Sequence, residues 1–124
     1  MTALRVLLCD DGADLRTLLA DVLRERGHIV HEAATGAEAI TCATEHLLDV
    51  AFIDTSLPDM SGFDVGRRLR DARLANKVRL IALADHHSTE EMATSRIAGF
   101  DMVLLKPVKL EQVIAALGLV KRLL

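Results

Sequence analysis

The chain lacks the features that mark several common protein classes. Only two cysteines, Cys9 and Cys42, occur in 124 residues, and no CxxC spacing is present. A disulfide is therefore not expected, and both thiols read as small buried hydrophobes. No basic run stands out against a formal net charge of −3, so the chain carries no nucleic-acid footprint. Long apolar runs are missing too. The first one, Val6-Leu7-Leu8-Cys9, is cut by Asp10 and is too short for a signal peptide or a membrane span. These absences point to a cytoplasmic protein that binds neither membrane nor nucleic acid. There is no linker, repeat or low-complexity segment. A length of 124 residues suits one domain, taken as 1–124, and hardly two.

What is present is an alternation of strand-like and helix-like segments, repeated five times. Leu4 to Cys9 reads as an apolar strand. Leu15, Leu18, Leu19, Val22 and Leu23 recur at helical spacing, and Gly27 follows as a stop. Ile29 to Glu32 is a second strand, placed near an edge because His28, His31 and Glu32 accompany it. Thr35-Gly36-Ala37-Glu38 has capping-box spacing and opens a helix to about Glu45. Leu48 to Asp54 is a third strand, and Ser61 to Ala72 a third helix. Val78 to Ala84 is a fourth strand. Ser88-Thr89-Glu90-Glu91 caps a helix that ends at Gly99. Met102 to Leu105 is the fifth strand, and Lys109 to about Leu123 the fifth helix.

Five βα units in a short chain predict an α/β fold, a parallel sheet with helices on both faces. In the flavodoxin-like (βα)5 doubly wound order 2-1-3-4-5, the strand order reverses between the first and third strands. Ligands bind at the carboxyl ends of the strands there. The first strand ends at Asp10-Asp11 and the third at Asp54. Three carboxylates would meet in one crevice. Like charges about 4 Å apart repel by roughly 4 kcal/mol at an effective dielectric near 20, so such a cluster calls for compensation. Mg²⁺, a hard cation that takes oxygen ligands, is the expected partner. Lys106, at the end of the fifth strand, brings a further positive charge to the same rim.

With Pro58 and Gly62 downstream of Asp54, and Pro107 after Lys106, this set resembles the receiver domain of bacterial two-component response regulators. The match runs over essentially the whole chain, in order and at the family's spacing. The resemblance implies that Asp54 accepts a phosphoryl group from a histidine kinase or phosphotransfer protein. It implies that Asp11, Asp54 and the backbone carbonyl of Ser56 ligate Mg²⁺, with Asp10 acting through a water. Lys106 would pair with Asp54 and then with the phosphoryl group, and the Lys106-Pro107 peptide is often cis in such domains. The implied role is signalling rather than enzymatic.

Two positions depart from the pattern. The hydroxyl residue usual at the end of the fourth strand is replaced by Ala84, and the switch aromatic of the fifth strand by Val103. Asp85 stands where a small residue is usual, and His86 is placed on the pocket rim. The expectation is that the phosphorylation chemistry survives while its conformational readout is weakened. The alternative is a degenerate receiver that binds partners without phosphate. An enzyme on the same fold is disfavoured. Asp10-Asp11 would repel a flavin phosphate, and Ser56 stands where a haloacid-dehalogenase-type phosphatase needs a second acid. The fifth helix is apolar beyond one stripe, with Leu119 and Leu123 off the face of Leu110, Ile114 and Leu117. With Val103 this predicts a partner surface, for a homodimer through the fourth helix, fifth strand and fifth helix.

Overall fold

Each of the short apolar runs forms a strand, and the amphipathic segment that follows it forms a helix. The computed structural model describes residues 3–71, 78–85 and 89–124. The order is β1 (Arg5–Cys9), α1 (Ala13–Glu25), β2 (Ile29–Ala33), α2 (Gly36–Glu45), β3 (Val50–Asp54), α3 (Gly62–Asp71), β4 (Arg79–Ala84), α4 (Thr89–Ile97), β5 (Met102–Leu105) and α5 (Leu110–Leu123). The five strands are parallel in the order β2-β1-β3-β4-β5, as the alternation predicted.

Strand periodicity sorts the core into two layers. Val6, Leu8, Val50, Phe52, Ile81 and Leu83 pack with Leu19 and Leu23 of α1 and with Val113, Ala116, Leu117 and Val120 of α5. The intervening residues, Leu7, Cys9, Ala51, Ile53, Leu80 and Ala82, pack with Ala39 and Ala43 of α2 and with Val65 and Leu69 of α3. A register slip of one residue would exchange the layers, so packing on both faces fixes the register. Phe52 is fully buried, which stabilises the sheet by about 1.5–3 kcal/mol.

Local signals set the helix ends. Gly27 takes φ +95°, a left-handed conformation that stops α1. Thr35 Oγ1 accepts from Glu38 N at 3.1 Å. The return bond is donated to the Glu38 carboxylate by Ala34 N, one residue before the position a capping box uses.

Several expectations need correction. β3 begins at Val50 rather than Leu48, and Asp49 just before it accepts from Arg5 N at 2.7 Å and from the Arg5 guanidinium at 3.0 Å. β2 is an edge strand, but His28 beside it is buried and its Nδ1 accepts from Leu4 N at 3.1 Å. The buried face of α5 is Val113, Ala116, Leu117 and Val120, while Leu110 and Ile114 lie at its margin. Val103 is partly buried and packs against the layer that holds Leu80, Ala82 and Phe100. Ser88, expected to cap α4, lies outside the described residues, as do Ala72 and His87.

Candidate functional site

Parallel pairing brings the acidic residues together. Cys9 of β1 is in register with Ile53 of β3, so the next residues, Asp10 and Asp54, leave adjacent strands side by side. Asp10, Asp11 and Asp54 each offer a carboxylate oxygen, and these oxygens lie within 4.8 Å of one another.

Asp54 is completely buried. Its Oδ1 accepts from Ser56 N at 2.9 Å and from Lys106 Nζ at 2.7 Å. Its Oδ2 is buried with no hydrogen-bond partner among the described residues. A buried acceptor left unpaired costs roughly 1–3 kcal/mol, and such atoms mark places where a ligand belongs. Hard oxygen donors around an orphaned, buried carboxylate oxygen fit a divalent cation such as Mg²⁺.

Asp10 is held by backbone on two sides. Its N–H donates to Ala33 O at 3.0 Å, and its Oδ1 accepts from Gly12 N at 2.8 Å. Burial pushes its carboxyl pKa up; the Gly12 N–H opposes this, and the charge of Asp54 adds to the rise. Burial also takes the neighbouring Cys9 thiol up to about 12, helped by the charges of Asp10 and Asp54, so it supplies no thiolate to the site.

Lys106 reaches the site from the end of β5. Its N–H donates to Ala84 O at 2.8 Å, and the Lys106-Pro107 peptide is cis. Burial alone would lower the ammonium pKa. The hydrogen bond to Asp54 and the charges of Asp54, Asp85 and Asp10 outweigh it and hold the pKa above its ordinary value. Asp85 Oδ1 is 3.8 Å from Lys106 Nζ on an open flank. Ala84 is buried beside Asp85, and its side chain offers no polar atom. Ser56 is exposed and forms a bridge with Ser61. His86, assigned to the pocket rim, lies outside the described residues.

Three contributors had no role in the sequence reading beyond the spacing of Gly62. A side chain on Gly62 would overlap the carbonyl oxygen of Asp54 and crowd Thr55 Cα, so only glycine lets α3 start against the end of β3. Asp59 accepts from Gly36 N at 2.8 Å and Ala37 N at 2.9 Å, tying the loop after β3 to the start of α2. Those N–H groups hold its carboxyl pKa below the ordinary value. Arg16 donates from Nη1 to the carbonyl oxygen of Asp10 at 2.6 Å. Asp59 caps a helix start 23 residues away in the chain, so its only signal in the sequence is its residue type. Arg16 bonds a main-chain atom and likewise leaves no local signature.

Comparison with known proteins finds relatives over nearly the whole chain. Residues 6–118 match the response regulator receiver domain family. The transcriptional regulatory protein PdtaR of Mycobacterium tuberculosis is 35% identical over 116 residues, which are 93% of this chain and 55% of that protein. The transcriptional regulatory protein PhoP of Escherichia coli K12 is 31% identical over 119 residues, 96% of this chain and 52% of that protein. The chain thus spans about half the length of these relatives. Among solved structures, the chemotaxis protein CheY4 of Vibrio cholerae superposes with a TM-score of 0.89 at 27% identity, covering 96% of this chain and 99% of that one. A Burkholderia pseudomallei response regulator, solved with a phosphorylated aspartic acid, a calcium ion and citrate, gives 0.82 at 28% identity, covering 90% and 65%.

Proposed function

The chain belongs to the response regulator receiver domain family, and from that premise we propose that it accepts a phosphoryl group on Asp54 in a Mg²⁺-dependent step of two-component signalling. The observation that carries this reading is the state of Asp54. One carboxylate oxygen is fixed by Ser56 N and Lys106, the other is buried with no hydrogen-bond partner among the described residues, and an oxygen of Asp54 lies within 4.8 Å of oxygens of Asp10 and Asp11. The donor is a phosphohistidine on a histidine kinase or phosphotransfer protein. A lone pair on Asp54 Oδ2 forms the new O–P bond while the N–P bond of the donor breaks. The electron pair returns to the imidazole, which takes up a proton. Lys106 steadies Asp54 before transfer and offers its charge to the phosphoryl oxygens afterwards. Asp11, Asp54 and the Ser56 carbonyl are the residues that would hold Mg²⁺, with Asp10 acting through a water. Bound there, the cation neutralises the incoming phosphoryl oxygens.

The readout of this step is weak in our reading. Ala84 cannot donate to a phosphoryl oxygen, and Asp85 stays near Lys106 as a competing anion. The same two observations favour a second reading, a degenerate receiver that binds partners without phosphate. In either case the domain acts by association rather than as an enzyme, in the cytoplasm, and without nucleic acid contact of its own. No helix among the described residues is long and apolar enough to cross a membrane. A homodimer through α4, β5 and α5 is supported by Ile97, Leu105, Leu119 and Leu123, which are exposed along that side.

Mass spectrometry of the intact protein after incubation with a small phosphodonor and Mg²⁺ tests the main reading. A gain of about 80 Da, one phosphoryl group, is expected, and Asp54→Ala should abolish it. No gain in the unaltered protein would leave the phosphate-independent reading. A gain that persists in Asp54→Ala would reassign the acceptor.

A further inference from the structure

Asp10 and Asp11 are joined by a peptide group that receives a hydrogen bond from outside the acidic pocket. The donor is Arg16, at the end of the first turn of α1. Its Nη1 reaches the carbonyl oxygen of Asp10 at 2.6 Å, while its Nε reaches Glu32 Oε1 at 3.1 Å. The guanidinium is thus bound at two ends, one on the acidic turn and one on the edge strand β2. It is largely buried, with 14% of the side chain exposed.

Glu32 is itself held firmly. Thr17 Oγ1 donates to its Oε1 at 3.1 Å, and Arg24 Nη1 lies 3.4 Å from its Oε2. Burial alone would raise the Glu32 carboxyl pKa, but the bonds from Arg16 and Thr17 and the charge of Arg24 hold it below the ordinary value. It therefore remains an anion that fixes Arg16. The next residue on the strand, Ala33, accepts the Asp10 N–H at 3.0 Å. Both main-chain groups of Asp10 are thus anchored to β2, one directly and one through Arg16.

The consequence falls on Asp11. It is exposed, so its carboxylate is aimed chiefly by the peptide plane from which it projects. That plane is the one Arg16 holds. We propose that Arg16, clamped by Glu32, is a positioning residue that presents Asp10 and Asp11 to the divalent cation. The proposal rests on the receiver reading above and deepens it. Residues that orient metal ligands from behind typically contribute 10–100-fold to affinity. A rigid two-ended guanidinium is suited to this, whereas an ammonium would satisfy one end only.

The test is titration of the whole chain with Mg²⁺ by calorimetry, with thermal unfolding followed in parallel. Arg16→Ala should weaken Mg²⁺ binding about tenfold or more, and Arg16→Lys should recover part of the loss. Glu32→Gln should weaken it by a smaller factor. Arg24→Ala, which also loses a contact to Glu32 but none to Asp10, should leave the affinity within about twofold of the unaltered protein, in line with affinity costs being confined to groups that orient ligands. Unchanged affinity in folded Arg16→Ala and Glu32→Gln would overturn the inference and leave the receiver reading standing. Equal losses in Arg16→Ala and Arg24→Ala would reduce Arg16 to a structural contact and overturn it likewise. If the unaltered protein bound no Mg²⁺, the receiver reading would fall, and this inference with it.

Discussion

Neutralising one member of the acidic cluster should stabilise the fold while impairing the site. Asp10→Asn is the informative change, because an Asn oxygen can still accept the Gly12 N–H that Asp10 Oδ1 accepts at 2.8 Å. Asp10, Asp11 and Asp54 present oxygens within 4.8 Å of one another. At that separation and an effective dielectric near 20, each like-charge pair costs roughly 3.5 kcal/mol. Lys106 offsets part of this, and water screens the open side where Asp11 lies. The net gain expected from the substitution is about 1–2 kcal/mol, well below the bare Coulomb figure. Urea unfolding followed by circular dichroism, at pH 7.5 with chelator present, measures it directly. The pH dependence gives an independent check. The Asp10 carboxyl pKa is raised in the folded state, chiefly by burial, so its ionised form penalises folding at neutral pH. The penalty is absent below the unfolded Asp value near 3.9 and develops as pH rises through the higher folded value. The advantage of Asp10→Asn should therefore shrink toward zero on acidification. Mg²⁺ should shrink it at neutral pH as well. At ten times the dissociation constant, a ligand bound only by the folded state adds about 1.4 kcal/mol to the unaltered protein. A variant less stable than the unaltered protein in chelator would refute the picture of a strained, cation-seeking cluster.

Three further outcomes are expected. Ala84→Thr should enlarge the amide NMR shift changes that a beryllofluoride phosphoryl mimic produces in α4 and β5, because a hydrogen bond to a charged group is worth about 1.5–3 kcal/mol, or roughly ten- to a hundredfold in population. Large changes already present in the unaltered protein would show that the missing hydroxyl is unimportant. His28 should make the fold acid-sensitive. Burial, with the charges of Lys121 and Arg26, lowers its pKa, and its Nδ1 must stay unprotonated to accept from Leu4 N. Stability should be full above the unfolded His value near 6.5 and fall as pH drops below it. A urea midpoint in His28→Gln with the same slope between pH 7 and 5 would remove His28 as the cause. Leu119→Glu should shift a dimer to monomer in sedimentation, since Leu119 and Leu123 border a groove of about 330 Å³ with Met102 and Val120; a monomer in both proteins at high concentration would exclude the homodimer.

The sequence by itself determined the strand and helix order, the sheet order and the identity of the chemical groups. These depend on local and periodic signals. Two-residue alternation in Leu4–Cys9 sends Val6 and Leu8 to one layer and Leu7 and Cys9 to the other, and the spacing from Thr35 to Glu38 marks a helix start. Asp10, Asp11, Asp54 and Lys106 were legible because each stands at or just past the end of a strand, and parallel strands align their carboxyl ends. What only the tertiary structure decided is how those groups are held. The burial of Asp54 Oδ2 without a hydrogen-bond partner among the described residues, the 3.8 Å approach of Asp85 to Lys106 and the packing of Val103 each depend on several elements meeting at once. The Arg16 bond to the Asp10 carbonyl and the clearance at Gly62 involve main-chain atoms, which every residue carries. A side-chain pattern cannot reveal a contact to a group that all positions share; it emerges only when the backbone has taken its path.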